Sequence, residues 1–336
     1  MNEARKNEVA RERMRQVLIF LAKLTVSGVL IGFLLTRMSL DEVRHAVEHP
    51  HWGLLAAAFA VYGVSAFGGA LQWSWILKVA GISAPPREIQ RLYFIGLFFN
   101  NFLPANIGGD AYKIVDLGRK EDRPHGVFCA TLLDRLIGMG ALTSLGVLTM
   151  TAVSVAGLPL PVSVLLLIPV LVILVVTLAF LLSRRIGSQL PGLFLRLGMA
   201  GLAGQLEKIT IEFGLYRPRV RWLNGIFLFS LVVQFLRLVT HLLVALGLGY
   251  SLGWNQALQL LVLIPVLAIS LTLPVTINGI GLRESISARL LTHAGLGEGQ
   301  AVAMELVAYL IQVVFSLQGG ILLWLGKWGR SSRTGN

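Results

Sequence analysis

The chain has one cysteine, Cys129, in 336 residues. An intrachain disulfide is excluded, and a cysteine-rich metal site has nothing to build on. The apolar neighbours of Cys129 mark it as a packing residue. Charge is scarce as well: Asp, Glu, Lys and Arg make up 14% of the chain, against about a quarter in soluble domains. No P-loop, zinc-finger spacing, Ser-His-Asp arrangement or aromatic RNA-binding signature occurs. No cofactor or metal is therefore expected. The net charge of +12 does not point to nucleic acid either, because the basic residues sit in short clusters between apolar runs, where orientation determinants of membrane proteins belong.

What the chain has is apolar length. With 55% hydrophobic residues and a mean hydropathy of +0.74, it reads as an all-α polytopic membrane protein. Six runs read as spanning helices, at about 17–36, 53–77, 127–155, 162–183, 222–249 and 300–324. The first follows a basic stretch, as a signal peptide would, but it is long for such a segment and lacks a small-residue cleavage site. It reads as an uncleaved span. The cluster His45, Glu48, His49 and His51 has zinc-ligand chemistry, yet no second cluster completes a site, so a solvated external loop is expected.

Two stretches depart from this pattern, and they resemble each other. Residues 100–113 read NNFLPANIGGDAYK and residues 271–284 read LTLPVTINGIGLRE. Both fit L-P-x-x-I-[GN]-G-x-x-x-[KR], with Pro104 matching Pro274, Gly109 matching Gly279 and Lys113 matching Arg283. Each copy ends an apolar run that looks too short or too marginal to cross. Ile89–Leu103 is about 22 Å long at helical rise, short of a core of about 30 Å. Gln256–Leu273 carries its own Pro265. Each return arm is too polar for lipid, with Asp110, Lys113 and Asp116 in the first and Arg283, Glu284, Arg289 and His293 in the second. Backbone broken by Pro and Gly at membrane depth survives only against protein or a wet cavity. Paired breaks in two halves point to a transport site.

The expected architecture is thus about six spanning helices plus two re-entrant helical hairpins, 89–118 and 256–294, in two inverted repeats. The repeats cover 17–156 and 157–328, between a basic N-terminus (1–16) and a polar tail (329–336). With both termini cytoplasmic, only Arg37 and Arg44 of the 29 Lys and Arg fall outside the cytoplasmic segments and the membrane, as the positive-inside rule requires. The cell membrane is the expected location. A basic loop, 184–221, contains an amphipathic stretch, 190–213, suited to the membrane surface.

Charges inside spans are costly, by about 2.5–3.5 kcal/mol each on insertion scales, and so are functional or paired. Asp134 and Arg135 stand about 100° apart on one helix and fit either role. Gln234, Arg237 and His241 share one helix face, as do Glu305, Tyr309 and Gln312. The candidate substrate-binding set is Asn101, Asp110, Lys113, Asp134, Arg135, Arg237, His241, Arg283, Glu284 and Glu305. The motif residues Pro104, Gly108, Gly109, Pro274, Gly279 and Gly281 shape the backbone around it. Helix starts after Gly109 and Gly279 would add N–H donors suited to phosphate. An anionic lipid headgroup in a cationic groove, with its tails left in the bilayer, fits this chemistry. A membrane-embedded transferase on a lipid carrier, with Asp110, Asp134 or Glu284 as general base, is the second reading. A non-catalytic subunit that docks a lipid-modifying enzyme through 184–221 is the third.

The segments LP-x-x-I-G-G-D, DRLIG in the third span and LP-x-x-I-x-G-I-G-L-R-E together resemble the transmembrane family of lysylphosphatidylglycerol synthases, the flippase-like domain or UPF0104-type membrane proteins. The resemblance covers about residues 15–328. It implies a protein that moves phospholipids or polyprenyl-linked lipids between leaflets, or serves a lipid-modifying pathway. It carries Pro104, Gly109, Asp110, Asp134, Arg135, Pro274, Gly279, Gly281, Arg283 and Glu284 over as motif residues. Lys113 stands where that motif commonly has Arg. The soluble aminoacyl-transferring domain of the bifunctional synthases has no counterpart here, so synthase activity is not expected.

Overall fold

The computed structural model describes residues 50–102, 108–160, 162–183, 192, 194–196, 198–272 and 282–331. The expected span 17–36, His45, Glu48, His49, Pro104, Pro274, Gly279 and Gly281 lie outside the described residues, as does the side chain of Glu284. Among the described residues the structure is helical throughout, with no strand.

The helices are α1 (Trp52–Val79), α2 (Pro86–Phe102), α3 (Gly108–Lys120), α4 (Pro124–Val155), α5 (Leu167–Leu182), α6 (Ala200–Gly214), α7 (Val220–Gly247), α8 (Trp254–Thr272), α9 (Leu282–Leu290) and α10 (Glu298–Ser331). Six segments among the described residues are long and apolar enough to cross a membrane: α1, α4, residues 164–182, the α6–α7 stretch 200–247, α8 and α10. On α5 only Leu167 and Leu174 are buried, while Val172, Ile173, Val175 and Val176 point outward, which suits a lipid-facing helix.

Five of the six carry the spans expected at 53–77, 127–155, 162–183, 222–249 and 300–324, and α8 is the addition. Its sequence looked too marginal for a full crossing. Pro265 lies inside it without ending it. A proline removes the N–H that would bond the carbonyl four residues earlier. That carbonyl, on Leu261, lies 3.3 Å from the Thr149 hydroxyl of α4, whose single proton has nearer acceptors in its own helix, Leu145 at 2.8 Å and Gly146 at 3.1 Å. Helix α2, with 17 residues, stays below span length.

Helices α2 and α3 run antiparallel and touch along their length. At the open end Arg91 of α2 meets Asp116 of α3 at 3.4 Å, and Lys120 pairs with Glu88. At the closed end a Cβ on Gly109 would lie 1.9 Å from the Gly96 carbonyl oxygen, so no other residue fits without separating the helices. The same logic joins α10 to α2, where a Cβ on Gly319 would lie 2.1 Å from the Phe94 oxygen. Helix α1 makes its most extensive contact with α7, helped by Gly68, where a Cβ would lie 2.8 Å from the Val233 side chain. Helix α8 rests on α4 much as α2 rests on α10.

The stretch expected to lie on the membrane surface, 190–213, is a continuous helix only from Ala200, and that helix sits on α4. Phe213 and Tyr216 are fully buried, Arg123 reaches Glu212 at 2.6 Å, and the Cys129 thiol lies 3.8 Å from the Ile209 carbonyl.

Candidate functional site

The polar residues of the interior gather in two clusters. In the first, α3 supplies Asp110 and Lys113, α4 supplies Asp134 and Arg135, and α1 supplies Gln72. Asp110 pairs with both cations: Lys113 Nζ lies 2.9 Å from its Oδ1 as an ion pair, and Arg135 Nε donates to its Oδ2 at 2.7 Å. The Gln72 amide donates to Asp134 at 2.7 Å. Lys113 is buried over the rings of Trp73 and Tyr93, 4.9 and 5.3 Å from their centres. Asp110 falls in the first turn of α3, where the helix dipole favours an anion. The Gly109 N–H donates to the Asn100 side-chain oxygen at 2.9 Å.

In the second cluster Glu305 of α10 is 2% exposed and sits between a guanidinium and an imidazole. Arg283 of α9 pairs with it closely, and His241 of α7 lies 3.3 Å away. The Arg283 guanidinium also stacks over Tyr309, 4.4 Å from the ring centre. The motif-matched Lys113 and Arg283 thus share one environment: a carboxylate on one side and an aromatic face on the other.

Arg237 stands between the clusters. Two adjoining cavities, each of about 270 Å³, share a wall that includes Arg237, Arg135, Asn100 and Gln234. One reaches Asp110, Lys113 and Asp134; the other reaches His241, Arg283, Glu305 and Asn101. Arg237 has no carboxylate partner among the described residues. Its Nη1 lies 3.5 Å from the Gln234 amide oxygen, and its Nε is buried without a partner. A buried donor N–H left without a partner costs about 1–3 kcal/mol. An anion entering the shared cavity would relieve that cost.

The structure therefore brings Asp110, Lys113, Asp134, Arg135, Arg237, His241, Arg283, Glu305 and Asn101 around two connected spaces. Arg283 is clamped by Glu305, whereas Arg237 has no carboxylate partner among the described residues. Sequence reasoning missed Gln72, Tyr93 and Asn100. The sequence signal for Gln72 is a polar side chain within an apolar run, beside Trp73.

The family model for the lysylphosphatidylglycerol synthase TM region matches residues 20–320. The chain belongs to this family. It is also similar to a UPF0104 membrane protein of Methanocaldococcus jannaschii, 26% identical over 116 residues, which is 34% of each chain. The match spans about a third of that relative's length. No solved structure matches the chain. As a member of the lysylphosphatidylglycerol synthase TM-region family with six span-length apolar helices, the chain is a multi-pass integral membrane protein.

Proposed function

We propose that this family member is a lipid translocase that moves an anionic phospholipid or a polyprenyl-phosphate-linked lipid between leaflets. The observation behind this reading is Arg237, a cation without a carboxylate partner among the described residues, on the wall shared by two cavities. A headgroup phosphate pairs with its fork, while the acyl tails stay in the bilayer. Lys113 with Arg135 on one side and Arg283 on the other form the approaches. Asp110 and Glu305 hold these cations until the phosphate draws them away, so the lipid passes from one cluster to the other through Arg237.

The two motif-bearing hairpins enter from opposite faces in this scheme. The termini lie in the cytoplasm, and the cell membrane is the site of action. The transferase reading has no comparable observation in its favour: Asp110 is held by two cations and Asp134 by Gln72.

The test is leaflet exchange of a fluorescent anionic lipid in liposomes containing the purified full chain. Exchange well above protein-free liposomes, lost in Arg237→Ala, supports translocation. Turnover of a lipid-linked donor without transbilayer movement would replace it with the transferase reading.

A further inference from the structure

Where the end of α1 meets the start of α7 there is a separate pocket of about 620 Å³ that shares no residue with the central cavities. Lys78, in the last turn of α1, and Arg219 and Arg221, at the entry to α7, converge on it with Trp75 and Trp222. None of the three cations has a carboxylate partner among the described residues. Basic residues elsewhere in the fold are matched: Arg123 by Glu212, and Lys120 by Glu88 and Asp116.

Arg219 is also held in place. Its Nη1 donates to the Val79 carbonyl at the end of α1 at 2.7 Å, which fixes the guanidinium and leaves its other donors available. The floor is open at Gly225, where an added Cβ would meet nothing within 4 Å. From there an outward stripe continues along α7 through Leu228 and Val232, 63% and 55% exposed. Trp222, 71% exposed, and Trp75 are of the type that settles at the headgroup level.

We propose that this pocket is a binding site for the headgroup of an anionic phospholipid. Its phosphate lies among Lys78, Arg219 and Arg221, and its acyl chains lie along Leu228 and Val232. The cation triad supplies the charge that basic pockets between membrane helices offer to lipid phosphates. The apolar stripe favours a lipid over a free phosphate, which has nothing to place there. The site is resident rather than transporting, so it stands or falls independently of the translocase reading.

The experiment titrates the full chain in detergent micelles with brominated phosphatidylglycerol, brominated phosphatidylcholine or inorganic phosphate. The readout is quenching of Trp222, isolated as the difference between wild type and Trp222→Phe. Quenching by the anionic lipid at low concentration, not displaced by inorganic phosphate, is expected. Arg219→Gln with Arg221→Gln should raise the half-quenching concentration about 30-fold, from about 1 kcal/mol per cation. A control that removes charge elsewhere, Arg87→Gln with Lys208→Gln, should leave it within about twofold. Equal quenching by both lipids, displacement by inorganic phosphate, or an equal loss in the control would each overturn the site.

Discussion

His241 stands between two oxygens: its Nδ1 lies 2.9 Å from the Arg237 carbonyl and its Nε2 lies 3.3 Å from a Glu305 carboxylate oxygen. A carbonyl only accepts, so Nδ1 carries a hydrogen. The neutral ring would then turn the Nε2 lone pair toward a carboxylate lone pair, which repels. A proton between the two side chains removes the conflict. Arg283 faces the same carboxylate, and Arg237 and Arg135 line the adjoining space. Losing that proton changes how firmly Glu305 holds Arg283.

Translocation is accordingly expected to depend on pH through this pair. Exchange of the anionic lipid should vary at least about fivefold between pH 5 and 8 in wild type, the range over which histidine titrates. In Glu305→Gln that variation should flatten to within about twofold. A profile unchanged by the substitution would remove the pair from the transport cycle.

Gly109→Ala should loosen the α2–α3 hairpin, because its Cβ meets the Gly96 backbone, which has no flexible end to move aside. Overpacking of this kind costs about 1–3 kcal/mol. Thermal unfolding of the purified chain should show a clear drop in midpoint, whereas Gly53→Ala, with open space around it, should change little.

At the open end of the same hairpin, the Arg91 side chain bonding to Glu88 holds the Glu88 carboxyl at about 2, below its usual 4.5, with Lys120 adding to the effect. A carboxyl whose value is lowered on folding stabilises the fold above its unfolded value and loses that contribution as pH falls through the folded one. Wild type should therefore be more heat-stable than Glu88→Gln above pH 4.5, and the gap should close toward pH 2. The group is partly exposed, so the gap is small. Unfolding midpoints of both proteins across that range check it.

The residues of the site were legible where chemistry follows local spacing. Gln234, Arg237 and His241 share a face because of helical periodicity, and the two motifs announce themselves by repetition. Pairing was not legible, because it joins residues far apart in the chain. Nothing local in the sequence says that Asp110 takes Arg135, that Glu305 takes Arg283, or that Arg237 has no carboxylate partner among the described residues. The continuity of α8 was hidden for the same reason: Pro265 breaks a helix by local rules, and the helix that α8 packs along, α4, lies about a hundred positions away. The glycines at 109 and 319 read as flexibility in sequence, whereas in the fold they are contact points.

The most direct test of the account compares an anionic and a zwitterionic lipid of equal chain length in the same liposomes, with wild type, Arg237→Lys and Arg237→Gln. Wild type should exchange the anionic lipid faster. Arg237→Gln should lose at least about tenfold of that preference, the value of one charge-assisted pair, and Arg237→Lys should keep part of it. An anionic preference that survives Arg237→Gln unchanged would contradict the claim that the unpaired guanidinium recognises the headgroup.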